Sequence, residues 1–379
     1  MVGGGEGAFI GAVHRRALRL DGTCTLVCGA FSSDPSAARE FGANLGVDAA
    51  RAYGSWQEML EIEASLPDSE RMEAVSVVTP NHLHLPIATA ALHAGFHVVS
   101  DKPATISLSE ARELATAVEK SGRCYVLTHT YLGYPMVREA RRLVQEGVLG
   151  RVRKVYVEYT QGWLVDRLEK ENKQAAWRVD PARSGPSGCM GDIGSHAHNI
   201  TEFITGARME TVRAWLQCVV EGRALDDDGA VFFKMSNGAT GVLTASQICA
   251  GEENFLAIRV YGEKAGLIWN QEEPNTLMIK YADGQQKRVR AGVNMPLGAT
   301  ALDVSRTPSG HPEGYLGAFS TLYTDFAKMV RNNMHASPGP DEIGYTPGID
   351  AALRGMAFIE AVVDSSNADG EWRDVVNVR

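Results

Sequence analysis

The sequence predicts two domains of different architecture, an α/β domain on a parallel sheet and an α+β domain on a largely antiparallel sheet. Three observations support this. The chain has 379 residues, more than a single hydrophobic core usually serves. Short β-rich runs alternate with helical stretches up to about residue 128, and longer alternating strands separated by turn signals follow. We therefore expect a first domain over residues 1–128 and a second over residues 129–379.

In the first half, short β-rich runs alternate with helical stretches. Its β-rich runs lie at residues 24–30, 73–79, 96–100 and 124–128. Helical patterns lie between them, at residues 35–45, 55–66 and 86–94. A further helix begins at the capping box Ser107-Leu108-Ser109-Glu110 and should end at Gly122. Because helices separate successive strands, the strands should run parallel.

The second half begins with a helical pattern at residues 135–146 and continues as a series of strands. The strand patterns lie at residues 152–159, 211–220, 230–235, 241–248 and 256–261. Asn237-Gly238 is a strong hairpin signal, which favours antiparallel pairing. Helical patterns return at residues 200–205, 315–331 and 348–361 and should cover one face of this sheet.

Composition restricts the class of partner. The net charge is -9, and no stretch clusters Lys and Arg, which argues against a nucleic acid or an anionic membrane as the main partner. A small-molecule ligand is the better expectation.

Without a signal segment or a long apolar run, we expect a cytoplasmic protein. The 6 cysteines are scattered, so we expect reduced thiols and no metal site.

A glycine cluster, Gly3-Gly4-Gly5-Glu6-Gly7 followed by Gly11, stands at the start of the chain. A dinucleotide-binding fold needs such residues for a tight turn, close approach to a pyrophosphate and a helix N-terminus, although the spacing here is stretched. Gly3, Gly5 and Gly11 are the candidates, and a flexible tail is the alternative. Only Met1-Val2 precede the cluster, where a first strand should supply about five residues, so we expect a clipped strand or a chain that starts further upstream.

The strand predicted at residues 24–30 is followed by polar residues, and the chain reads Ala30-Phe31-Ser32-Ser33-Asp34. Dinucleotide folds that prefer NAD place an acidic residue here to bind the ribose hydroxyl. If Ser32 and Ser33 occupy that place, with Arg39 as a partner, a ribose phosphate is favoured and NADP becomes somewhat more favourable than NAD. Alternatively, Asp34 serves the ribose or caps the helix that follows Pro35.

Polar residues follow two further strands. Thr79-Pro80-Asn81-His82 follows one, and Asp101-Lys102-Pro103 follows the next. Ligands of open α/β sheets bind at the carboxyl ends of the strands. A lysine held there by a proline is well placed to contact a reacting hydroxyl, although an ordinary strand-end lysine is the alternative.

The segment Gly191-Asp192-Ile193-Gly194-Ser195-His196-Ala197-His198-Asn199 supplies a possible acid/base pair. On a helix, Asp192 and His196 would lie one turn apart on the same face. The carboxylate would then orient the imidazole or act beside it as a second polar anchor. Histidine titrates near neutrality, which suits proton removal from an alcohol. A capping aspartate with an incidental histidine is the structural alternative.

Taken together, these motifs and Trp177-Arg178 resemble the glucose-fructose oxidoreductase, inositol dehydrogenase and MocA family over nearly the whole chain. The resemblance implies an N-terminal Rossmann domain and a C-terminal domain on a large open antiparallel sheet, often the interface of a homodimer or homotetramer. It implies an NAD(P)-dependent oxidoreductase that transfers a hydride between nicotinamide and a secondary alcohol of a sugar or cyclitol. A glycosidase that uses transient redox chemistry, and a non-catalytic cofactor or sugar sensor, are the alternatives.

The resemblance also implies roles for individual residues. Lys102 would contact the reacting hydroxyl, His196 would act as acid/base, and Asp192 would orient the substrate or its partners. The cofactor-binding candidates are Gly3, Gly5, Gly11, Ser32, Ser33, Thr79, Pro80, Asn81, His84, Asp101 and Lys102. The substrate-binding candidates are Tyr131, Trp163, Arg178, His198 and Asn199. For each of the first four, a purely structural role is the alternative. Asn199 stands where the family usually has an aspartate.

Overall fold

The computed structural model describes residues 1–332 and 345–376, apart from the side chains of residues 173 and 174. By its contacts, the described chain divides into two units. The first comprises Met1–Thr128, the described part of Phe319–Ser337, and Thr346–Leu353, and the second comprises the remaining described residues. The sequence assigned everything beyond residue 128 to the second domain. By its contacts, the described segment that begins at Phe319 belongs instead to the first unit. There, Tyr323 Oη lies 2.6 Å from His14 Nδ1 and 2.9 Å from Ser76 Oγ.

The described part of the first unit contains a four-stranded parallel sheet in the order β1-β2-β3-β4. Its strands are β1 (Val2–Gly3), β2 (Ala74–Val78), β3 (His97–Ser100) and β4 (Tyr125–Leu127). Its helices are α1 (Phe9–Leu20), α2 (Pro35–Asn44), α3 (Trp56–Ser65), α4 (His84–His93) and α5 (Leu108–Ser121). Buried Val75, Val77 and Val98 pack with Ile87 and Leu114 of the helices to form the core.

The N-cap predicted for α5 at Ser107 is confirmed, and Glu110 reaches back one residue further than in the standard capping box. Ser107 Oγ accepts a hydrogen bond from Glu110 N at 3.2 Å, and Glu110 Oε2 accepts one from Ile106 N at 3.1 Å. Gly122 ends the helix with a φ of 61°, a conformation that costs glycine little. The helix between β3 and β4 is therefore determined by local sequence at both ends.

The strand predicted at residues 24–30 is wrong for most of its length. Only Gly29 and Ala30 form bridges, with Ala52 and Val2 respectively. A run of apolar residues becomes a strand only where a neighbour offers backbone groups over several residues, and β1 contains only Val2–Gly3. The apolar pattern was correct about burial at Cys28 and Ala30, but not about pairing.

The second unit is built on a nine-stranded sheet of the described chain, in the order β12-β11-β10-β9-β5-β8-β7-β6-β13. The strands are β5 (Val152–Thr160), β6 (Met209–Gln217), β7 (Asp228–Met235), β8 (Thr240–Ser246), β9 (Phe255–Gly262), β10 (Ala265–Asn270), β11 (Thr276–Tyr281), β12 (Gln286–Arg290) and β13 (Arg373–Asp374). All described pairs are antiparallel except β5 with β8, which are parallel. The parallel α/β domain followed by a largely antiparallel sheet is thus confirmed, and β10, β11 and β12 are strands that the sequence reading missed.

Helices accompany this sheet. They are α6 (Pro135–Gln145), α7 (Lys173–Arg178), α8 (Pro181–Ser184), α9 (Ser195–Thr205) and α10 (Ala299–Leu302). Two longer helices follow, α11 (Tyr315–Arg331) and α12 (Ile349–Asn367), and each has its first part in one unit and its second part in the other. One sheet face is buried through Val155, Val157 and Phe233, while Tyr156 and Phe232 of the opposite face are exposed. None of the described helices combines the length and apolarity that a membrane crossing requires.

Candidate active site

The glycine-rich segment of the first unit forms a tight turn between β1 and α1. Gly3 and Gly4 have φ values of 82° and 72°, which side chains rarely adopt. A Cβ on Gly5 would lie 2.5 Å from Phe31 O, and a Cβ on Gly11 would lie 2.3 Å from Gly4 Cα. The turn therefore depends on bare backbone at each of these positions.

This turn fits a dinucleotide pyrophosphate. Gly3-Gly4-Gly5-Glu6-Gly7-Ala8 reads G-x-G-x-x-A, so the fingerprint is complete before α1 begins at Phe9. Gly11 instead permits close packing of α1 against Gly4, which explains the stretched spacing seen in the sequence. In this described segment, Ala8 provides no side-chain cap and the first turn of α1 contains no acid, so its N–H groups suit an anion.

The loop of Ser32, Ser33 and Asp34, which we expected to contact the ribose, leads directly into helix α2. Asp34 Oδ1 accepts a hydrogen bond from Ala37 N at 2.8 Å, which confirms Asp34 as the N-cap of α2. Ser32 is partly exposed and Ser33 is exposed, so both stay candidates for the ribose. Arg39 Nη2 donates to both carboxylate oxygens of Glu58, at 2.9 Å and 3.1 Å. The suggested phosphate partner is therefore engaged in an ion pair.

His84 joins the two polar loops that follow β2 and β3. Its Nε2 lies 2.8 Å from Thr79 O and its Nδ1 lies 2.7 Å from Pro103 O. Asn81 is buried in the 3₁₀ turn that follows Pro80. The ring of His84 is fully buried, so it acts as an internal brace between these loops.

Lys102 is partly buried at the end of β3, and its backbone is fixed by Asp101. Asp101 Oδ1 accepts a hydrogen bond from Lys102 N at 2.9 Å and another from Thr128 Oγ1 at 2.8 Å. The carboxylate thus ties the Lys102 loop to the end of the neighbouring strand β4. The short side chain of Asp101 suits this local contact.

In the second unit, the Asp192 and His196 motif is folded as a π-helical turn, Met190–Gly194, followed directly by α9. Asp226 holds the entry to the turn, because its carboxylate accepts hydrogen bonds from Gly188 N at 2.8 Å and Met190 N at 2.7 Å. A Cβ on Gly194 would lie 2.2 Å from Met190 Sδ. Gly194 therefore leaves room for the Met190 side chain, whereas a Cβ on Gly191 would meet only ordinary contacts.

The Asp192 carboxylate is held by donors from two other segments. Its Oδ2 accepts from Gln247 Nε2 at 2.9 Å and from Arg178 Nε at 3.3 Å. The Arg178 guanidinium also lies over the Trp177 ring, 4.3 Å from its centroid, and 5.9 Å from that of Trp163. The structure thus brings together Arg178 and Asp192, two of the residues singled out in the sequence.

His196 lies in a buried group of aromatic rings. Its ring is edge-on to Tyr131, with centroids 4.9 Å apart, and to His129, with centroids 5.2 Å apart. Its Nδ1 lies 3.3 Å from His129 Nδ1. Tyr131 Oη is hydrogen-bonded to Tyr159 Oη, and Tyr159 Oη donates to Asn254 Oδ1 at 2.7 Å.

Burial controls the protonation of both tyrosines. It raises the pKa of Tyr131 to about 12, although the hydrogen bond between Tyr131 and Tyr159 acts in the opposite direction. Burial and the Tyr131 hydroxyl together raise the pKa of Tyr159 well above its ordinary value. Both side chains therefore stay neutral near pH 7 and act as hydrogen-bonding groups beside His196.

Three amides complete the polar surface, and the sequence reading missed all of them. Gln161 Nε2 donates to Asn254 Oδ1 at 2.7 Å, and Gln161 Oε1 accepts from Trp163 Nε1 at 3.0 Å. Gln247 Nε2 contacts Gln161 Oε1 at 3.4 Å. These amides follow the carboxyl ends of the parallel strands β5 and β8 and precede the antiparallel strand β9, which is why they meet at one end of the sheet. No motif signals them, although a polar residue just past a strand end is a weak cue.

His198 and Asn199, the other two substrate candidates, are placed differently. His198 is 1% exposed, stacks on Phe358 with centroids 4.5 Å apart, and has its Nε2 3.3 Å from Glu202 Oε1. Glu202 also binds Arg354 and Arg208, so His198 belongs to a buried charged cluster. This placement favours a structural role for His198. Asn199 is partly exposed and stays a candidate.

Two family descriptions match most of the chain. "Oxidoreductase family, NAD-binding Rossmann fold" matches residues 1–129, and "GFO/IDH/MocA C-terminal domain" matches residues 137–268. The uncharacterized oxidoreductase YfiI of Bacillus subtilis is 34% identical over 377 residues, which are 98% of this chain and 95% of that protein. Levoglucosan dehydrogenase of Pseudarthrobacter phenanthrenivorans is 25% identical over 362 residues, covering 88% of this chain and 87% of the enzyme.

A solved structure shows the same fold over the whole chain. The crystal structure of an inositol dehydrogenase homolog from Azotobacter vinelandii, complexed with NAD+, has a TM-score of 0.92 at 35% identity and covers 99% of this chain and 96% of that chain. A second structure of the homolog, complexed with NADH and myo-inositol, has a TM-score of 0.90 at 34% identity and covers 99% and 96%.

Proposed function

The chain belongs to the GFO/IDH/MocA oxidoreductase family, and on that premise we propose that it transfers a hydride between nicotinamide and a secondary alcohol of a sugar or cyclitol. Its NAD-binding Rossmann domain is the part of the chain that holds the cofactor. The class of substrate that we propose is a sugar or cyclitol. It agrees with relatives named inositol dehydrogenase homolog and levoglucosan dehydrogenase.

One observation carries the proposal: the continuous hydrogen-bonding surface of the second unit. It links Asp192, Gln247, Gln161, Asn254 and Tyr159 through distances of 2.7 Å to 3.4 Å. Amide, carboxylate and phenol groups offer donors and acceptors in alternation, which is what several neighbouring hydroxyl groups require. Each group is paired with a neighbour but keeps further donor or acceptor capacity, which several hydroxyl groups can use at once and a single alcohol cannot. We therefore propose a polyhydroxylated substrate.

We propose Lys102, Asp192 and His196 as the catalytic group. In alcohol oxidation, Lys102 donates a hydrogen bond to the reacting hydroxyl oxygen, and His196 takes the hydroxyl proton. When bound, nicotinamide accepts the hydride from the carbon, so that the alcohol becomes a ketone. Asp192, held by Gln247 and Arg178, orients the substrate through its carboxylate. In ketone reduction, His196 returns the proton to the oxygen.

The further substrate contacts are proposed from the same surface. Tyr131, Trp163 and Arg178 are linked to it by hydrogen bonds or ring contacts, and we propose them as substrate-binding residues. Asn199 is the fourth. It replaces a family aspartate, so we expect a less anionic site and a correspondingly altered choice of substrate.

We propose NAD as the preferred cofactor. The argument for NADP depended on Ser32, Ser33 and Arg39, and Arg39 is engaged with Glu58. Because the Arg39 guanidinium is already directed towards Glu58, it is less well placed to receive a ribose phosphate. The inositol dehydrogenase homolog bound to NAD+ and NADH supports the same choice.

The test is a fluorescence titration with NADH and NADPH, followed by a panel of sugars and cyclitols assayed for cofactor reduction. We expect tighter binding of NADH and turnover with at least one polyol. Lys102→Ala should bind NADH but lose turnover by about 10²- to 10⁴-fold, while the control Lys287→Ala, at an exposed strand position, should keep both. No turnover of any polyol, with NADH bound, would contradict the proposal. Release of a free sugar from a glycoside without net cofactor reduction would support the glycosidase alternative.

We also propose that the chain forms a homodimer or homotetramer through the open face of its large sheet. Trp215 and Phe232 of that face are 68% and 55% exposed and lie on the paired strands β6 and β7. Large apolar side chains on a sheet face are typical of an interface between subunits. Light scattering at working concentration should give a multiple of 40.9 kDa, and Trp215→Glu should reduce it.

A further inference from the structure

His129 is a buried histidine that the catalytic group does not include. It follows β4 and precedes the 3₁₀ turn Thr130–Gly133. Its Nδ1 lies 3.3 Å from His196 Nδ1, and the two rings are nearly perpendicular, at 82°. Their residues are 2% and 7% exposed, so the contact is shielded from water. The two imidazoles are therefore hydrogen-bonded to each other in a buried setting.

A hydrogen bond between two Nδ1 atoms requires one N–H and one lone pair. A neutral imidazole carries its single proton on either Nδ1 or Nε2, so two arrangements exist. In the first, His196 donates from Nδ1 and its lone pair is on Nε2. In the second, His129 donates, and the proton of neutral His196 is on Nε2. Only the first leaves Nε2 of His196 able to accept a proton.

The acid/base cycle distinguishes the two arrangements. A protonated His196 carries N–H groups on both nitrogens, because that is the structure of imidazolium. In the first arrangement its Nδ1–H continues to donate to His129, and the hydrogen bond persists in both states. In the second arrangement, two N–H groups would face each other at 3.3 Å when His196 gains its proton. A histidine that both accepts and returns a proton therefore requires His129 as the acceptor.

We propose that His129 is a positioning residue, which accepts a hydrogen bond from His196 Nδ1 and so makes Nε2 the proton-transferring nitrogen of His196. This proposal rests on the acid/base role of His196 proposed above. It assigns to a neutral imidazole the orienting task that a carboxylate performs in other acid/base pairs. His129 itself then carries its proton on Nε2.

The surroundings of His196 support a single ring orientation. The Tyr131 ring also packs against His196, with centroids 4.9 Å apart at 78°, and the Tyr159 ring lies 6.1 Å away. Both phenols stay protonated near pH 7, so neither competes as an anion for the imidazole proton. Tyr131 is in turn held by Tyr159 and Asn254. His129 and Tyr131, which lie two residues apart in the chain, thus confine the imidazole.

The direct test is the tautomer of His196, measured by nitrogen-15 NMR of protein labelled at its 10 histidines, with the His196 signals assigned by their loss in His196→Asn. At alkaline pH we expect a protonated Nδ1 and a bare Nε2. His129→Leu, which removes the acceptor, should convert His196 to a mixture of tautomers. His129→Asn places an amide oxygen near the lost Nδ1 and should restore the wild-type pattern. A protonated Nε2 in the wild type would overturn the proposal.

Kinetics give an independent readout. His129→Leu should lower kcat by about 10- to 100-fold with a smaller change in KM, and His129→Asn should recover most of the loss. NADH binding should be unchanged in both variants, which shows that they are folded. Equal kcat values in wild type and His129→Leu would overturn the positioning role. If no polyol is turned over by the wild type, the proposed function fails, but the NMR measurement still decides the hydrogen bond between the two histidines.

Discussion

Gln247 donates a hydrogen bond from Nε2 to Asp192 Oδ2, at 2.9 Å. The two residues are 55 positions apart in the chain and belong to different elements, the end of β8 and the π-helical turn. The amide gives the carboxylate a fixed direction, and Arg178 supplies a second donor to the same oxygen. The orientation of Asp192 is therefore set by the large sheet as well as by its own helix.

We predict that Gln247→Leu lowers kcat/KM by about 10- to 100-fold. A hydrogen bond to a charged group contributes about 1.5–3 kcal/mol, and its loss would free the Asp192 carboxylate to rotate. The measurement is steady-state kinetics on the polyol found in the panel. Gln286→Leu, at an exposed position of β12, is the control and should behave as wild type. Equal kinetics for Gln247→Leu and wild type would mean that Asp192 needs no orientation.

Gly11→Ala should weaken NADH binding by about tenfold and lower the Tm. Its Cβ would lie 2.3 Å from Gly4 Cα, so α1 would have to move away from the glycine turn, at a cost of about 1–3 kcal/mol. Gly355→Ala is the matched control within helix α12, where an added Cβ meets nothing within 4 Å. Because alanine favours a helix by up to about 1 kcal/mol over glycine, this control should raise the Tm. Unchanged NADH affinity in Gly11→Ala would contradict the close packing.

His84→Ala should reduce the affinity for NADH by about tenfold. The imidazole lies within hydrogen-bond distance of Thr79 O and Pro103 O, and loss of a hydrogen bond to one of these carbonyls removes about 1 kcal/mol from the bracing of the loops. Fluorescence titration measures the effect. His93→Ala, at the exposed end of the same helix, is the control and should bind NADH as wild type does. An equal loss in both variants would indicate damage to α4 rather than loss of the brace.

Glu202→Gln should make stability less dependent on acid pH. Burial acts to raise the pKa of Glu202, but His198 and Arg354 hold it well below its ordinary value. A carboxylate with a depressed pKa stabilises the folded state above its unfolded pKa of about 4.3, and this contribution is lost as the pH falls through the folded pKa. Removing the charge should cost about 3–5 kcal/mol near pH 7, because it leaves buried Arg354 uncompensated.

Urea unfolding at several pH values measures this effect. The difference between wild type and Glu202→Gln should be full at pH 7 and shrink as the pH falls below about 4.3. Glu146→Gln, at a side chain that is 55% exposed, should cost little at any pH. A difference that stays constant down to acid pH would show that packing, and not charge, is responsible.

Local signals in the sequence were sufficient for much of the fold. The capping box at Ser107 determines the start of α5, and the apolar alternation at residues 152–159 corresponds to β5. Both signals act over a few neighbouring residues, so the sequence contains them in full. The motifs around Lys102 and His196 were equally visible, because they are contiguous. The run at residues 24–30 shows the limit, since an apolar segment predicts burial but needs a paired neighbour to become a strand.

The sequence by itself therefore determined the two-domain architecture, the family and the residues that we propose for catalysis. Only the tertiary structure decided what surrounds them. Gln161, Gln247 and Asn254 meet because β5, β8 and β9 are neighbours in a defined register, and His129 meets His196 across 67 positions of the chain. Such contacts arise from strand pairing and packing between distant segments, for which a local pattern carries no information.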